Sequence, residues 1–131
     1  MYFDGASTKA STGVGVVLIS WSKETIHLSY KLDFKTTNNI AEYEALLLGV
    51  KAAKEMGIMC MRIFGDANLI IQQVNNTFQE KNVRLKAYRD EVRKLRDSFM
   101  FFELSYIPRA LNHLDDSLAA FASLFVPPLP P

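Results

Sequence analysis

The chain has 131 residues, a net charge of +1, and a composition that is 49% hydrophobic and 22% charged. These values are typical of one globular domain with a single core, and they exclude a protein that holds nucleic acid by bulk basicity. The single cysteine, Cys60, excludes a disulfide framework or a multi-cysteine metal site and favours a reducing, intracellular compartment. No apolar run reaches the roughly 18 residues of a membrane span, so we expect no membrane partner.

The first third of the chain predicts three antiparallel strands, because short polar segments of hairpin length separate the runs Met1–Ser7, Gly13–Trp21 and Thr25–Asp33. From Asn39 to about Met56 the apolar residues recur at helical spacing. This pattern predicts a long helix, with Gly57 as its C-terminal stop.

The remaining predicted elements are a strand at Met59–Gly65, helices at Ala67–Val74 and Val83–Ser98, a strand at Met100–Ile107 and a final helix at Leu111–Phe125. A strand that follows a long helix can pair in parallel with an earlier strand. The order βββαβααβα therefore predicts an α/β fold with a five-stranded mixed sheet flanked by helices. We expect one domain over residues 1–125, a proline-rich tail or linker over 126–131, and an origin as a module of a longer chain.

Four acidic positions stand where solubility does not require a carboxylate. Asp4 interrupts the first strand, either as a hairpin turn with Gly5 or as a functional group. Glu42 falls on the helix face opposite Glu44, Lys51 and Glu55, so it is predicted to face the sheet, where an unpartnered carboxylate is costly. Two explanations stay open for Glu42: stabilisation by the helix N-terminus and a cation shared with other carboxylates.

Asp66 lies between a predicted strand and a predicted helix, which suits both a helix N-cap and a metal ligand. Asp115 and Asp116 open the final helix, and the helical wheel does not choose between them. Oxygen ligands drawn from four elements favour Mg²⁺ or Mn²⁺ over zinc. Two such ions can activate a water and stabilise the leaving oxygen in phosphodiester hydrolysis.

The stretch Lys81–Asp97 holds seven basic residues against three acidic ones. One interpretation is a charged helix that turns Val83, Ala87, Val92 and Leu95 inward and leaves the rest solvated. The other is a grip on the phosphates of a DNA strand. The aromatic residues Phe99, Phe101 and Phe102 and the thiol of Cys60 are predicted to be buried.

Four segments of the chain, Phe3–Ser7, Thr37–Glu42, Phe64–Asn68 and Ile107–Ala119, together resemble in order and spacing the motifs of the ribonuclease H type 1 family. The similarity is greatest to the reverse-transcriptase-like ribonuclease H domain of plant long-terminal-repeat retroelement polyproteins. The resemblance implies an endoribonuclease that cuts the RNA strand of RNA–DNA hybrids with two Mg²⁺ ions, for which Mn²⁺ can substitute. It also implies a covalently linked polymerase domain and a cytoplasmic or nuclear location.

Carried over by motif, the catalytic metal ligands would be Asp4, Glu42, Asp66 and Asp116. The family's Asn-x-x-x-Asp spacing, which starts here at Asn112, selects Asp116 over Asp115. By the same resemblance, the contacts to the hybrid would be Asn38, Asn39, Asn68 and Arg109, since amide groups can reach 2′-hydroxyls across the wide minor groove.

Three departures from the family pattern affect the expected activity. Tyr106 stands where the family often has histidine, and a phenol cannot shuttle protons at neutral pH as an imidazole can, so slower turnover is expected. Ala67 and Asn68 replace a common Ser-Gln pair, and Asp115 adds a charge beside Asp116. Two rival functions are a catalytically silent nucleic-acid-binding or scaffolding module and another nuclease of the same fold.

Overall fold

The computed structural model describes residues 1–7, 12–32, 36–76 and 81–112. The strands in these ranges are β1 (Tyr2–Ser7), β2 (Thr12–Ile19), β3 (Thr25–Leu32), β4 (Cys60–Gly65) and β5 (Phe101–Tyr106). The helices are α1 (Asn38–Glu55), α2 (Asn68–Asn75) and α3 (Val83–Arg96), and a 3₁₀ turn covers Arg109–Leu111. The predicted order is confirmed as far as this turn, and the rest of the predicted final helix lies outside the described residues.

The five strands form one mixed sheet in the order β3-β2-β1-β4-β5. The strands β1, β2 and β3 pair antiparallel, whereas β4 runs parallel to both β1 and β5. The parallel pairing of β1 with β4 requires a crossover connection, which α1 supplies. Asp4 pairs with Gly15 inside the β1–β2 ladder, so the interpretation of Asp4 and Gly5 as a hairpin turn is wrong.

Helix α1 has defined signals at both ends. The Thr37 hydroxyl accepts a hydrogen bond from the Ile40 N–H at 3.4 Å and caps the N-terminus. Beyond the C-terminus, Gly57 has a φ of 79°, a left-handed conformation that glycine adopts without steric cost. The predicted stop at Gly57 is confirmed.

The core lies between the three helices and one face of the sheet. It joins side chains of the central strands to the inward faces of the helices, including Phe3, Val16, Leu46, Ile70 and Val92. A second cluster contains Tyr2, Val17 and Ile107, with the rings of Tyr2 and Phe64 stacked at 5.4 Å. Among the described helices, none is long and apolar enough to cross a membrane.

The inward face of α3 differs from the predicted one. Leu85, Arg89 and Val92 are buried, whereas Val83 is 82% exposed and Ala87 is also exposed. At about 100° per residue, positions 83 and 92 lie on opposite sides of a helix, so the two valines cannot share one face. Arg89 is buried despite its charge, which the long aliphatic stem of arginine permits.

Two further predictions about exposure are corrected. Cys60 is exposed, and so is Phe101, its partner in the β4–β5 ladder. On the α1 face predicted to be solvated, Lys51 and Glu55 are exposed as predicted, whereas Glu44 is only partly exposed because this face also contacts α3. There the Tyr88 hydroxyl donates to the Glu44 carboxylate at 2.5 Å, and Lys51 pairs with Glu91 at 2.8 Å.

Candidate metal centre

Three carboxylates from three different elements converge at one end of the sheet. Asp4 lies in the middle of β1, Glu42 lies in α1 one turn after its start, and Asp66 directly follows β4. One carboxylate oxygen from each lies within 4.8 Å of the other two. The structure thus brings together three of the four predicted ligands, and the fourth, Asp116, lies outside the described residues.

The carboxylate of Glu42 is held by the backbone of the neighbouring strand. The Gly5 N–H donates a hydrogen bond to Glu42 Oε1 at 2.5 Å. This contact requires α1 to lie very close to β1: a Cβ atom built on Gly5 would lie 2.7 Å from the Glu42 nitrogen and closer still to the Ala41 carbonyl group. Glycine is therefore needed at position 5 to let the helix backbone approach the strand.

The other oxygen of Glu42 is unsatisfied. Glu42 Oε2 is buried and has no hydrogen-bond partner among the described residues. The pKa of Glu42 is raised to about 10, first by burial and then by the neighbouring Asp4 and Asp66 side chains, while the Gly5 N–H opposes the shift. A buried, unpaired carboxyl oxygen costs free energy that a bound cation would recover. The donor set consists of oxygens, which fits a hard divalent cation.

The position of Glu42 in α1 decides between its two predicted explanations. Helix α1 starts at Asn38 and has no acidic residue in its first turn, so Glu42 lies in the second turn. The field of a helix terminus falls off within the first turn. The helix N-terminus is therefore the weaker explanation for a buried Glu42.

Asp66 is free of the capping role that its sequence position suggested. The cap of α2 is Ala67, and no side chain makes a capping hydrogen bond there. Instead, the Asp66 side chain is 7% exposed and its Oδ2 accepts from Arg109 Nε at 3.4 Å. Burial and then the Asp4 charge raise the pKa of Asp66, while Arg109 lowers it. The N-cap interpretation of Asp66 is wrong.

A buried asparagine ties the segment after β5 to the strand that carries Asp4. Asn112 Nδ2 donates to the Phe3 carbonyl at 3.0 Å, and this carbonyl belongs to the residue directly before Asp4. Sequence reasoning missed this contact, the Gly5–Glu42 hydrogen bond and the Arg109–Asp66 pair. A glycine inside a strand does signal a close approach of another backbone, but the other two contacts join residues too far apart in sequence to leave a pattern.

The predicted substrate-contacting residues lie near the same three carboxylates. Asn38 and Asn39 open α1, one turn before Glu42, and Asn68 opens α2, two residues after Asp66. Tyr106 ends β5 and pairs with Gly65, directly before Asp66, and its side chain is half exposed. The backbone of Tyr106 therefore lies beside the residue that precedes Asp66.

Comparison with known proteins agrees with this architecture. The reverse transcriptase-like family matches residues 2–122, which is most of the chain. The chain belongs to this family. Together with the solved structures described next, this match confirms the resemblance to ribonuclease H type 1 and the predicted fold.

Ribonuclease HI of Halobacterium salinarum is 32% identical over 120 residues, which cover 90% of this chain and 60% of the archaeal protein. The crystal structure of RNase H1 from this archaeon is 31% identical, with a TM-score of 0.80, covering 89% of this chain and 90% of that one. A complex of LC11-RNase H1 with an RNA/DNA hybrid is 26% identical, with a TM-score of 0.77, covering 89% and 90% of the two chains.

A bifunctional protein of Mycobacterium tuberculosis is 27% identical over 119 residues, which are 88% of this chain and 33% of that protein. The chain thus spans less than two thirds of the length of these two curated relatives. The similarity between this chain and these relatives therefore concerns a single ribonuclease H-type domain, which belongs to the reverse transcriptase-like family.

Proposed function

We propose that this chain hydrolyses the RNA strand of RNA–DNA hybrids and that Asp4, Glu42, Asp66 and Asp116 hold the divalent cations. The observation that carries the proposal is that Glu42 Oε2 is buried and has no hydrogen-bond partner among the described residues. It belongs to a group of three carboxylates whose oxygens lie within 4.8 Å of one another. Three carboxylates at this spacing repel one another, and folding tolerates the arrangement best when a cation is shared between them. Two Mg²⁺ ions, or Mn²⁺ in their place, would activate a water and stabilise the leaving oxygen.

Each of the three described carboxylates has a distinct role in this scheme. Glu42 is fixed by the Gly5 N–H through one oxygen, so its other oxygen is oriented in advance. Asp66 is nearly buried and Asp4 is partly buried, so the cluster offers ligands on the solvent side as well as inside. Such an arrangement can leave coordination positions open for a water and a phosphate oxygen.

We further propose that Asn38, Asn39, Asn68 and Arg109 bind the hybrid. The two asparagines at the start of α1 and the one at the start of α2 flank the carboxylates, where amide groups can reach 2′-hydroxyls and base edges. The side chain of Arg109 is 90% exposed beside Asp66, within reach of a phosphate bound at the cluster. The RNA/DNA hybrid bound by LC11-RNase H1 supports the assignment of this substrate class.

Tyr106 predicts a slow enzyme under the same proposal. Tyrosine has no imidazole nitrogen to take up and release a proton, so it does not relay protons as histidine does. Tyr106→His should therefore raise the turnover rate without changing the affinity for the hybrid. The comparison is made by single-turnover cleavage and by hybrid binding in Ca²⁺, and an unchanged rate would contradict this role for position 106.

The natural context that we propose is a polyprotein in which a polymerase domain is covalently linked to this chain, working in the cytoplasm or the nucleus. The support is the reverse transcriptase-like family match. In that context the polymerase would produce the hybrid that this domain consumes.

The test is cleavage of a labelled RNA–DNA hybrid by the purified chain in Mg²⁺ or Mn²⁺. Asp4→Asn and Asp66→Asn should lower the rate by at least about 100-fold, since each removes a metal-ligand charge. The matched control is Glu55→Gln, which changes an exposed carboxylate at the far end of α1 and should cleave normally. Hybrid binding by the parent without cleavage in either ion would instead identify a silent binding module, and preference for duplex DNA would identify another nuclease of this fold.

A further inference from the structure

Arg109 makes an ion pair whose two members differ sharply in exposure. Its Nε lies 3.4 Å from Asp66 Oδ2, and the side chain of Asp66 is 7% exposed while that of Arg109 is 90% exposed. The carboxylate is therefore fixed in the protein, whereas the guanidinium reaches it from solvent. An exposed arginine can leave such a pair at little cost, because water replaces its hydrogen bonds.

Within the part of the chain that the structure describes, this ion pair is the one that involves the carboxylate cluster. There, Asp66 is the member of the carboxylate cluster that has a basic partner, and Asp4 and Glu42 have no ion pair. Arg109 thus supplies the positive charge that offsets the cluster when no cation is bound. Arginine stays charged at every accessible pH, so it cannot yield to a cation by losing a proton.

We propose that Arg109 and a divalent cation alternate at Asp66, so that the charge of Arg109 sets the metal affinity of the site. The inference rests on the proposed function, because it assumes that the cluster binds a cation. A cation that takes Asp66 Oδ2 as a ligand displaces the guanidinium, and the displaced guanidinium still lies close enough to repel the ion. Once displaced, Arg109 has free N–H donors beside the site for a substrate phosphate.

The size of the effect follows from Coulomb's law. A unit charge held about 5 Å from a divalent ion in a highly solvated setting weakens binding by about fifteenfold at very low salt and by about fivefold with screening by salt near 0.15 M. The same screening makes the effect depend on salt. Removing the charge of Arg109 should therefore tighten metal binding, and this gain should shrink as the ionic strength rises.

The test is a calorimetric titration of the whole chain with Mn²⁺ and Mg²⁺, without substrate. Arg109→Gln should bind each ion about fivefold to fifteenfold more tightly than the parent, whereas Arg109→Lys, which keeps the charge, should stay within about twofold of it. The matched control is Arg62→Gln on β4, which removes another exposed arginine that pairs with Glu103 at 3.9 Å. This control should bind as the parent does.

Equal or weaker binding by Arg109→Gln, with the parent binding measurably, would overturn the inference and leave the proposed function standing. Failure of both proteins to bind either ion would overturn the proposed function itself. A second readout follows the Arg109 Nε–H resonance by NMR during the Mg²⁺ titration. It should move in step with metal occupancy, and a resonance that stays fixed to saturation would also overturn the inference.

Discussion

Replacing Gly5 with alanine should push α1 away from β1 and take Glu42 with it. The added Cβ would lie 2.7 Å from the Glu42 nitrogen and closer still to the Ala41 carbonyl, and both obstacles are backbone atoms. Carbon contacts settle at about 3.5–4.0 Å, so the helix must retreat by roughly 1 Å. Overpacking of this kind costs about 1–3 kcal/mol of the free energy of unfolding.

The same displacement should damage the site more than the fold. A shift of about 1 Å in a catalytic group can lower the rate about 100-fold, and the hydrogen bond from the residue 5 N–H to Glu42 Oε1 lengthens as α1 moves away from β1. Urea unfolding measures the loss of stability, and single-turnover cleavage of an RNA–DNA hybrid measures the loss of activity. Gly13→Ala is the matched control, because Gly13 is exposed on the neighbouring strand β2 and a Cβ there meets nothing within 4 Å. A Gly5→Ala protein as stable and as active as Gly13→Ala would refute the reasoning.

Three further outcomes follow from the same geometry. Because the pKa of Glu42 is raised from 4.5 to about 10, the stability of the metal-free protein should fall as pH rises between these values. Glu42→Gln should remove that decline and add about 1–3 kcal/mol to the free energy of unfolding at pH 8 in EDTA. Urea unfolding at pH 5 and pH 8 checks this, and an equal change in the free energy of unfolding between the two pH values for both proteins would contradict it. Saturating Mg²⁺ should raise the free energy of unfolding of the parent by about 2.7 kcal/mol at 100 times its Kd, and that of Asp66→Asn by much less. A thermal scan in which Mg²⁺ raises the melting temperature of both proteins equally would count against the site. Tyr88→Phe should cost about 0.5–1.5 kcal/mol, because it removes the hydrogen bond to Glu44 that joins α3 to α1; an unchanged urea midpoint would show that this contact contributes nothing.

The sequence predicted the parts of the fold that follow from local patterns. The order of strands and helices, the parallel pairing of β4, and the inward position of Glu42 all came from periodicity and chain connectivity. Glu42 was identified because α1 is long, so its buried and exposed faces are well separated in the pattern.

Placing Val83 and Val92 on one face of α3 failed on the helical pattern itself, since about 100° per residue puts them on opposite sides. The other failures have physical reasons that no local pattern contains. Helix α3 buries Arg89 and exposes Val83, because its inward face is chosen by packing against α1 and α2 rather than by hydrophobicity alone. Asp66 has excellent capping propensity, but its side chain lies beside Asp4 and Glu42 and pairs with Arg109 instead of capping α2. Cys60 lies at the exposed start of β4, where strand propensity says nothing about burial.

The central claim is that carboxylates from β1, α1 and the end of β4 hold a divalent cation together. Paramagnetic Mn²⁺ titration, followed by NMR of the side-chain carboxyl groups, tests it most directly. We predict that the carboxyl signals of Asp4, Glu42 and Asp66 broaden together at the first equivalent of Mn²⁺, while that of Glu55 is unaffected. Broadening of one of the three alone, or equal broadening of Glu55, would contradict the account.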